Sequence, residues 1–366
     1  MKALKLCFIS IILLTMLLSA SKGQEGNSYT ERKLRCSMAG SGDPWSALTK
    51  SRRPILMAMH DGLNIKQLAK VFSMSEEQMI NEINHLKESS LVKVYNNNYA
   101  PDFFISDSNE TKKVYSHSKT IGKILADALL EDWDILEHSY SELSFSKSYS
   151  LKEQGFMFVG SRILDMGVLG ALVRDKCLLT IAPSRPSPTR PDGQYYFWMV
   201  EGKFEHLGKY GQDDTDLKWA SWHVLNFGQS VINGEFNQKR EDFENKIAEI
   251  IESDTTDSPD KFANTLDIPF LSKEDSKIWE EVSRQISSKL LMILKEQKSD
   301  IIKFYNTLKT STYTNNSFGE FFCWYYHLAY AWAIDALQTK GAIIIPPERF
   351  SGLVMYREGP EGLLSK

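Results

Sequence analysis

The stretch that decides the N-terminal fold is residues 64–104, NIKQLAKVFSMSEEQMINEINHLKESSLVKVYNNNYAPDFF. Its first part predicts a helix that is capped by Asn64, because a side-chain oxygen before a helix can accept a free backbone N–H. Apolar residues then recur at helical spacing: Ile65, Leu68, Ala69 and Phe72. Residues 73–75 form the predicted turn, and Ser75 with Gln78 makes a capping box that starts a further helix.

This further helix has an apolar stripe formed by Met79, Ile83 and Leu86. Downstream of it the pattern changes to a predicted hairpin. Residues 91–95 predict a strand, the asparagines 96–98 a turn that tolerates left-handed backbone, and residues 99–105 a return strand broken by proline. Upstream, Pro54 opens one more helix with an apolar face: Ile55, Leu56 and Met59.

The order of three helices and a hairpin resembles the winged helix-turn-helix of ArsR- and MarR-type bacterial regulators. The residues that carry this resemblance are Ile65, Leu68, Ala69, Phe72, Met74, Ser75, Ile83, Leu86, Leu91 and Val92. They lie within residues 50–105, less than a sixth of the chain. The resemblance implies that the third helix enters the major groove of DNA. Its outward residues would be Gln78, Asn81, Glu82 and His85, and Arg53 is a further candidate DNA contact.

The charges of this region favour a different partner. Residues 75–90 contain four glutamates and one lysine, a net charge of −3, and residues 50–105 have seven basic and six acidic side chains. Non-specific DNA affinity comes mostly from lysine and arginine at phosphates. The pattern therefore favours a scaffold or a protein contact, while adenine recognition by Gln78 and Asn81 is the alternative.

Residues 1–23 predict a secretory signal. Two lysines, Lys2 and Lys5, precede an apolar run over residues 6–18, and small polar residues follow it. The run is shorter than the roughly 20 residues that span a bilayer. We therefore expect a periplasmic or secreted protein. The alternative is an uncleaved anchor that holds the chain at the membrane or in the cytoplasm, because basic residues follow the run: Lys22, Arg32, Lys33 and Arg35.

The composition is globular, with 42% hydrophobic residues and 42 aromatic side chains, of which 19 are Phe, 15 Tyr and 8 Trp. A formal net charge of −4 gives no whole-chain attraction to nucleic acid or to anionic membrane. Cys36, Cys177 and Cys323 remain after cleavage of the predicted signal, which is too few for a disulfide framework. One bridge is possible, and the sequence does not choose its partners.

We predict a helix-rich α+β protein, with an N-terminal winged helix-turn-helix followed by a larger mixed α+β domain. The predicted order is signal peptide 1–23, linker 24–45, winged helix 46–105, connecting helix 106–145 and C-terminal domain 146–366. Within the last, strands are predicted at 155–160, 178–182, 195–201 and 342–345, and helices at 162–174, 235–253, 273–310 and 317–339. The amphipathic region 108–143 either forms a homodimer or packs on the next domain.

The C-terminal domain offers several ligand-pocket candidates. Arg185 and Arg190, in the proline-rich loop 183–193, could clamp an acidic ligand, or the loop is a plain hairpin connection. Trp222 and His223 belong to an aromatic stripe that is either core or a ligand cleft. The carboxylates of residues 213–216 are interpreted as a turn and helix cap, because the pattern of a calcium loop is absent.

The strongest chemical pattern is on the apolar helix 317–339, where Glu320, Cys323 and His327 share one face. They are either metal ligands, a thiol–imidazole pair or a buried polar network that fixes helix packing. A metal site is not assigned, because no fourth ligand can be placed. The sequence has no phosphate-binding loop, no dinucleotide glycine motif, no HExxH and no GxSxG, so no cofactor is identified.

Three functional hypotheses follow. The first is an exported, non-catalytic binding protein, with the winged helix for protein contact and a C-terminal ligand or sensor domain. The second is a DNA-binding regulator that an uncleaved anchor retains in the cytoplasm. The third is an exported enzyme that uses Glu320, Cys323 and His327.

Overall fold

The computed structural model describes residues 29–216, 222–233, 235, 245, 249, 259–314, 317–347 and 350–356. The chain is a helix-rich mixture of helices and small sheets, so the predicted α+β class is confirmed. It divides into two compact units. Unit 1 contains the described residues up to Thr111 with 182–203 and 303–321, and unit 2 contains those of 112–181, 204–302 and 322–366.

Unit 1 begins with a strand and continues with three helices and a hairpin. Its elements are β1 Leu34–Ser41, α1 Arg52–His60, α2 Ile65–Val71, α3 Glu76–Glu88, β2 Val92–Tyr95, β3 Asn98–Pro101, β4 Phe104–Ser106 and β5 Gln194–Glu201, with a short 3-10 helix over Lys309–Thr312. The apolar faces of the helices meet in one core: Ile55, Leu56, Leu68, Ala69, Met79, Ile83 and Leu86 are buried there. Burial of these faces is the main source of stability for helices this short.

The predicted helix caps are present. Asn64 accepts a hydrogen bond from Gln67 N at 3.1 Å, and the Gln67 side chain accepts one from Asn64 N at 2.9 Å. Ser75 and Gln78 make the same reciprocal pair at 3.1 and 2.8 Å. Each box satisfies two backbone donors, so the two helices begin where the sequence predicts.

The hairpin β2–β3 pairs Val92 with Pro101 and Tyr95 with Asn98. Asn96 and Asn97 have φ of +49° and +58°, the left-handed backbone that a two-residue hairpin turn requires. The return strand does not continue to residue 105. Instead, β4 pairs in parallel with β5 in a second sheet, because the chain leaves the hairpin at Pro101, which cannot donate to a ladder.

Part of the predicted linker is wrong, because Leu34–Ser41 form β1. All eight residues pair antiparallel with β5, from Leu34 opposite Glu201 to Ser41 opposite Gln194. Six of the eight residues of β5 are buried, whereas β1 is half-buried or exposed. The alternation of Leu34, Cys36 and Met38 with polar or small residues is a local strand signal that the linker interpretation missed, and these three side chains pack on the core.

Unit 2 is mostly helical. Its helices are α4 Ser108–Glu131, α5 Trp133–Ser141, α6 Leu151–Gly155, a π-helix Phe156–Gly167, α7 Val168–Asp175, α8 Gln229–Asn233, α9 Pro259–Leu266, α10 Lys273–Glu296, α11 Lys298–Tyr305 and α12 Ser317–Thr339. The first residues of α4 and of α12, and the last of α11, belong to unit 1. The strands β6 Gly211–Asp216, β7 Trp222–Gly228, β8 Phe270–Leu271 and β9 Phe350–Tyr356 form one sheet in the order β6-β7-β9-β8.

The strand predicted at 155–160 is wrong, because these residues lie in the continuous helix of α6, the π-helix and α7. A short apolar run is compatible with a strand or with a buried helix, and periodicity does not separate them. This helix, Leu151–Asp175, has a mean hydropathy of 1.6 over its most apolar window. It is the one helix among the described residues that is long and apolar enough to cross a membrane, and 72% of that window is buried inside the protein.

Three further local predictions differ from the structure. Residues 178–182 and 342–345 form no strand, and residues 213–216 belong to β6 rather than to a turn and helix cap. Pairing with β7 overrides the low strand propensity of aspartate in β6. The predicted helices 162–174 and 317–339 are present, 273–310 is divided into α10, α11 and the 3-10 helix, and most of 235–253 lies outside the described residues.

Candidate functional site

The outward face of α3 carries the residues that the winged-helix resemblance would place on DNA. Gln78, Asn81 and His85 are exposed, and Glu82 is half-buried. The Gln78 side chain already accepts the hydrogen bond of the capping box, and His85 Nδ1 lies 3.7 Å from Glu88 Oε2. The capping box thus occupies Gln78 Oε1, which bidentate recognition of adenine would also use, and the carboxylate of Glu88 lies beside one nitrogen of His85.

The cations next to α3 are partly neutralised within unit 1. Arg52 Nε lies 2.7 Å from Glu82 Oε2, and Lys93 Nζ lies 3.0 Å from Asp102 Oδ1. Arg53 is half-buried, and its Nε is enclosed without a partner among the described residues. On α3 itself the exposed charges are Glu76, Glu77, Lys87 and Glu88. On α3 itself, exposed carboxylates therefore outnumber the one exposed lysine, while Lys66 and Lys70 are exposed cations on the preceding helix α2.

Arg185 and Glu320, two separate pocket candidates, form a buried ion pair in unit 1. Arg185 Nη1 lies 2.5 Å from Glu320 Oε1, and the side chains are 1% and 0% exposed. Glu320 also accepts hydrogen bonds from Phe104 N at 2.9 Å and Phe197 N at 3.3 Å. Burial raises the pKa of Glu320, and Arg185 with the two N–H groups opposes that rise.

The remaining donors of Arg185 bind backbone carbonyls. Nη1 donates to Tyr195 O at 3.0 Å, Nη2 to Asp102 O and Nε to Ser90 O. Arg190, by contrast, is exposed, so the two arginines do not form the predicted clamp. Four of the five N–H groups of the guanidinium thus have partners inside unit 1, in agreement with the interpretation of the loop as a hairpin connection.

Cys323 and His327 make a weak pair on α12 in unit 2. Cys323 Sγ lies 4.0 Å from His327 Nδ1, which also lies 2.7 Å from the backbone oxygen of Cys323. Because a carbonyl only accepts, Nδ1 carries the imidazole proton and is not a base toward the thiol. Burial lowers the pKa of His327. No group of three His, Cys, Asp or Glu side chains in the described part of the chain could hold a metal ion.

Trp222 and His223 are neighbours on β7, so their side chains point to opposite faces of the sheet. His223 is buried, and its Nδ1 lies 2.8 Å from Asp214 Oδ1 on β6. The sequence interpretation of 213–216 as a helix cap missed this pair, since the pairing of β6 with β7 is not visible in a local pattern. A strand interpretation of both stretches would have placed His223 and Asp214 on one face.

Two further polar clusters were not predicted. In unit 1, His60 Nδ1 lies 2.7 Å from Tyr313 Oη, and His60 Nε2 lies 3.7 Å from Glu110 Oε2. In unit 2, the π-helix buries Asp165, and desolvation raises the pKa of its carboxyl to about 7. A signal for the second was present, because Asp165 interrupts an otherwise apolar run.

Of the described cysteines, Cys36 and Cys177 are half-buried and Cys323 is buried. Residues 1–28, which include the predicted signal peptide, lie outside the described residues.

Comparison of the chain with known protein families, with curated proteins and with solved structures found no match.

Proposed function

We propose that the chain is an exported, non-catalytic binding protein in which α1, α2, α3 and the β2–β3 hairpin act as a winged helix that contacts a basic segment of a protein partner. The observation that carries this proposal is the charge of α3. Its exposed face presents Glu76, Glu77 and Glu88, while Arg52 and Lys93 beside it are held in ion pairs.

Support for the winged-helix architecture comes from local structure. Two reciprocal capping boxes start α2 and α3, a left-handed turn closes the hairpin, and the three helices share one core. Such an arrangement is a way of packing three helices and a hairpin, and proteins with different partners share it. The architecture alone therefore does not select DNA.

The charge of α3 favours a basic protein partner over DNA. A DNA-binding face gains affinity when lysine and arginine displace counterions from phosphates, and carboxylates in the same place repel them. A basic peptide segment reverses these signs, so the same face attracts it. Charge complementarity of this kind accelerates association and falls with ionic strength.

Export rests on residues 1–23, and unit 2 provides the proposed ligand or sensor domain. N-terminal sequencing of the mature protein together with cell fractionation tests the first point. We expect a mature chain that begins after Gly23 in the periplasm or medium. An intact N-terminus on protein found only in the cytoplasm would overturn the export part of the proposal.

The binding part is tested with the full mature chain, a labelled lysine–arginine peptide and a short labelled DNA duplex, both titrated at low salt. We expect the peptide to bind and the double variant E76Q/E77Q to weaken its binding several-fold. The matched control D134N/E281Q removes two exposed carboxylates from α5 and α10 and should leave binding unchanged. Equal loss in both variants, or no peptide binding at all, would refute a specific role for α3.

DNA binding is the second candidate, and the exposed amide of Asn81 on α3 favours it. It predicts salt-sensitive duplex binding that N81A weakens. A flat duplex titration at low salt eliminates it. The enzyme hypothesis has less support, because Glu320 is used by Arg185 and the proton of His327 faces a carbonyl.

A further inference from the structure

The outer edge of β1 is a row of backbone groups without a neighbouring strand in unit 1. The sheet has the order β1-β5-β4, so β1 has a partner strand on one side only among the described residues. Its pairing with β5 is unbroken from Leu34 to Ser41, and it contains no proline. Natural edge strands are usually short, interrupted or covered, because an open edge can pair with a strand of another chain. A long, regular edge of this kind is therefore a candidate interface.

The pairing with β5 shows which backbone groups face outward. Gly202 N donates to Lys33 O at 3.0 Å, so these two residues form the type of antiparallel pair that is joined by hydrogen bonds. Such pairs alternate along the ladder, and the N–H groups of Cys36, Met38 and Gly40 therefore point away from β5. Within the described part of the chain none of these three N–H groups has a hydrogen-bond partner. Backbone donors left in this way favour a further strand.

The opposite strand gives the same result. Phe197 lies opposite Met38, and it donates its N–H to Glu320 Oε1 at 3.3 Å rather than to β1. The residues of β1 are half-buried or exposed, whereas six of the eight residues of β5 are buried. The outward edge of β1 is therefore accessible to another strand.

The charges at the two ends of β1 favour a second copy of this chain as the partner. Lys33 is exposed and precedes the strand, and Asp43 follows it. Asp43 accepts hydrogen bonds from Thr189 and from two backbone N–H groups, which are all neutral donors. Neither Lys33 nor Asp43 has an ion pair with another described residue. Two antiparallel copies bring the basic start of each strand beside the acidic end of the other, and opposite charges on neighbouring strands stabilise their pairing.

We propose that two copies of the chain pair in antiparallel orientation through the outer edges of β1, with the two-fold axis at Ser37. Cys36 then lies opposite Met38 of the second copy, and Gly40 lies opposite Leu34 of the second copy. All three outward N–H groups of each strand meet a carbonyl in this register, and the two sheets become one continuous sheet. A two-fold axis makes each contact occur twice.

The same register sets the neighbours on the face of β1 that points away from the core. Ser37 lies directly opposite Ser37 of the second copy, and Ser41 lies opposite Lys33 of the second copy. No like charges are opposed, and the small side chains let the strands approach. Pairing through one strand of each copy buries little area, so we expect a weak dimer. It does not depend on the partner of α3.

Sedimentation velocity of the full mature chain, over a range of concentrations at low salt, measures the dimer. S37E places two carboxylates opposite each other and should weaken the dimer about five-fold. S41E places a carboxylate opposite Lys33 of the second copy and should tighten the dimer about two-fold. Both variants make the same charge change on one face of one strand, so the opposite signs identify the register. A monomer at every concentration, or equal effects of S37E and S41E, would overturn the proposal.

Cysteine crosslinking tests the register without an added charge, and it remains informative if S37E fails to fold. In a C36S/C177S background, S37C should form a disulfide-linked dimer on mild oxidation, because directly opposite residues of an antiparallel pair have the Cα separation that a disulfide needs. S41C is the matched control, since Ser41 is more exposed than Ser37 but lies far from its own counterpart across the axis. Crosslinking of S41C as fast as that of S37C, or no crosslinking of S37C, would refute pairing through β1.

Discussion

Arg185 and Glu320 are joined by a contact of 2.5 Å in the interior of unit 1, although the sequence separates them widely. Glu320 lies in the first turn of α12 and accepts hydrogen bonds from the backbone N–H groups of Phe104 in β4 and Phe197 in β5. Arg185 donates to the carbonyls of Tyr195 and Asp102. The pair therefore ties a helix end, two strands and a loop connection to one another.

Removing one member of this pair should be costly. E320Q leaves the guanidinium of Arg185 buried without its counter-charge, and such changes destabilise by roughly 3–5 kcal/mol. Urea denaturation of the full chain measures the loss. The control D127N breaks the half-exposed pair of Lys340 with Asp127 and should cost less than about 1 kcal/mol. If E320Q lost as little unfolding free energy as D127N, the buried ion pair would not stabilise unit 1.

Asp165 should make the folded state less stable at high pH. Its pKa is about 7 in the folded protein against a reference value of 3.8, so folding takes up a proton between these values. The neutral carboxyl of Asp165 therefore contributes to the free energy of unfolding, and this contribution is fully present below pH 4. It is lost as the pH rises through 7, and the total loss is about 4 kcal/mol. D165N keeps the shape without the charge. The free energy of unfolding of D165N, relative to that of the wild type, should therefore increase from pH 4 to pH 8. A difference that does not change with pH would contradict a buried, neutral Asp165.

His60 should act with the opposite sign. Desolvation, the largest cause, lowers its pKa to about 4, and the reference value is 6.5. Burial therefore favours the neutral imidazole. As the pH falls from 6.5 through 4, the free energy of unfolding decreases by roughly 3 kcal/mol. H60Q should unfold with less sensitivity to acid than the wild type. Thermal denaturation between pH 4 and pH 7 measures this, and equal slopes for the two proteins would rule it out.

Gly122 allows α4 and α12 to approach closely. A Cβ at this position would lie 2.4 Å from Trp332 Cβ and 2.5 Å from Ala329 O, which are parts of the protein that cannot move aside cheaply. G122A should therefore destabilise by about 1–3 kcal/mol or more. G170A is the matched helical control, because the nearest atom there is the flexible end of Arg174, at 3.2 Å. It should be neutral or stabilising, and the two melting temperatures make the comparison.

Local signals in the sequence were enough for α2, α3 and the hairpin. The side chains of Asn64 and Ser75 each accept a hydrogen bond from a backbone N–H three residues later. Asn96 and Asn97 adopt the left-handed backbone of the turn. The strand β1 was missed although Leu34, Cys36 and Met38 alternate with polar or small residues, because the stretch is short and its partner β5 lies more than 150 residues further along the chain. The pairing itself is not visible in any local pattern.

The candidate residues show the same division. Glu320 and Arg185 stood out because each is a charged group in an unusual place, an apolar helix and a proline-rich loop. Their ion pair depends on tertiary packing, because the loop and the first turn of α12 meet only in the folded chain. His60 gave no signal at all, because its contact with Tyr313 joins residues that are far apart in the sequence.

Unit 1 is assembled from segments that the ribosome makes at very different times, since β1 and β5 belong to one sheet and Glu320 completes its interior. Synthesis from the N-terminus must pass residue 321 before this unit can close. The strand β1 lacks its partner until residue 201 has been made, and Arg185 lacks its counter-charge until Glu320 has been made. A fragment that ends at residue 105 would therefore lack β5, whose Tyr195, Phe197 and Met199 are buried in the same core as the three helices.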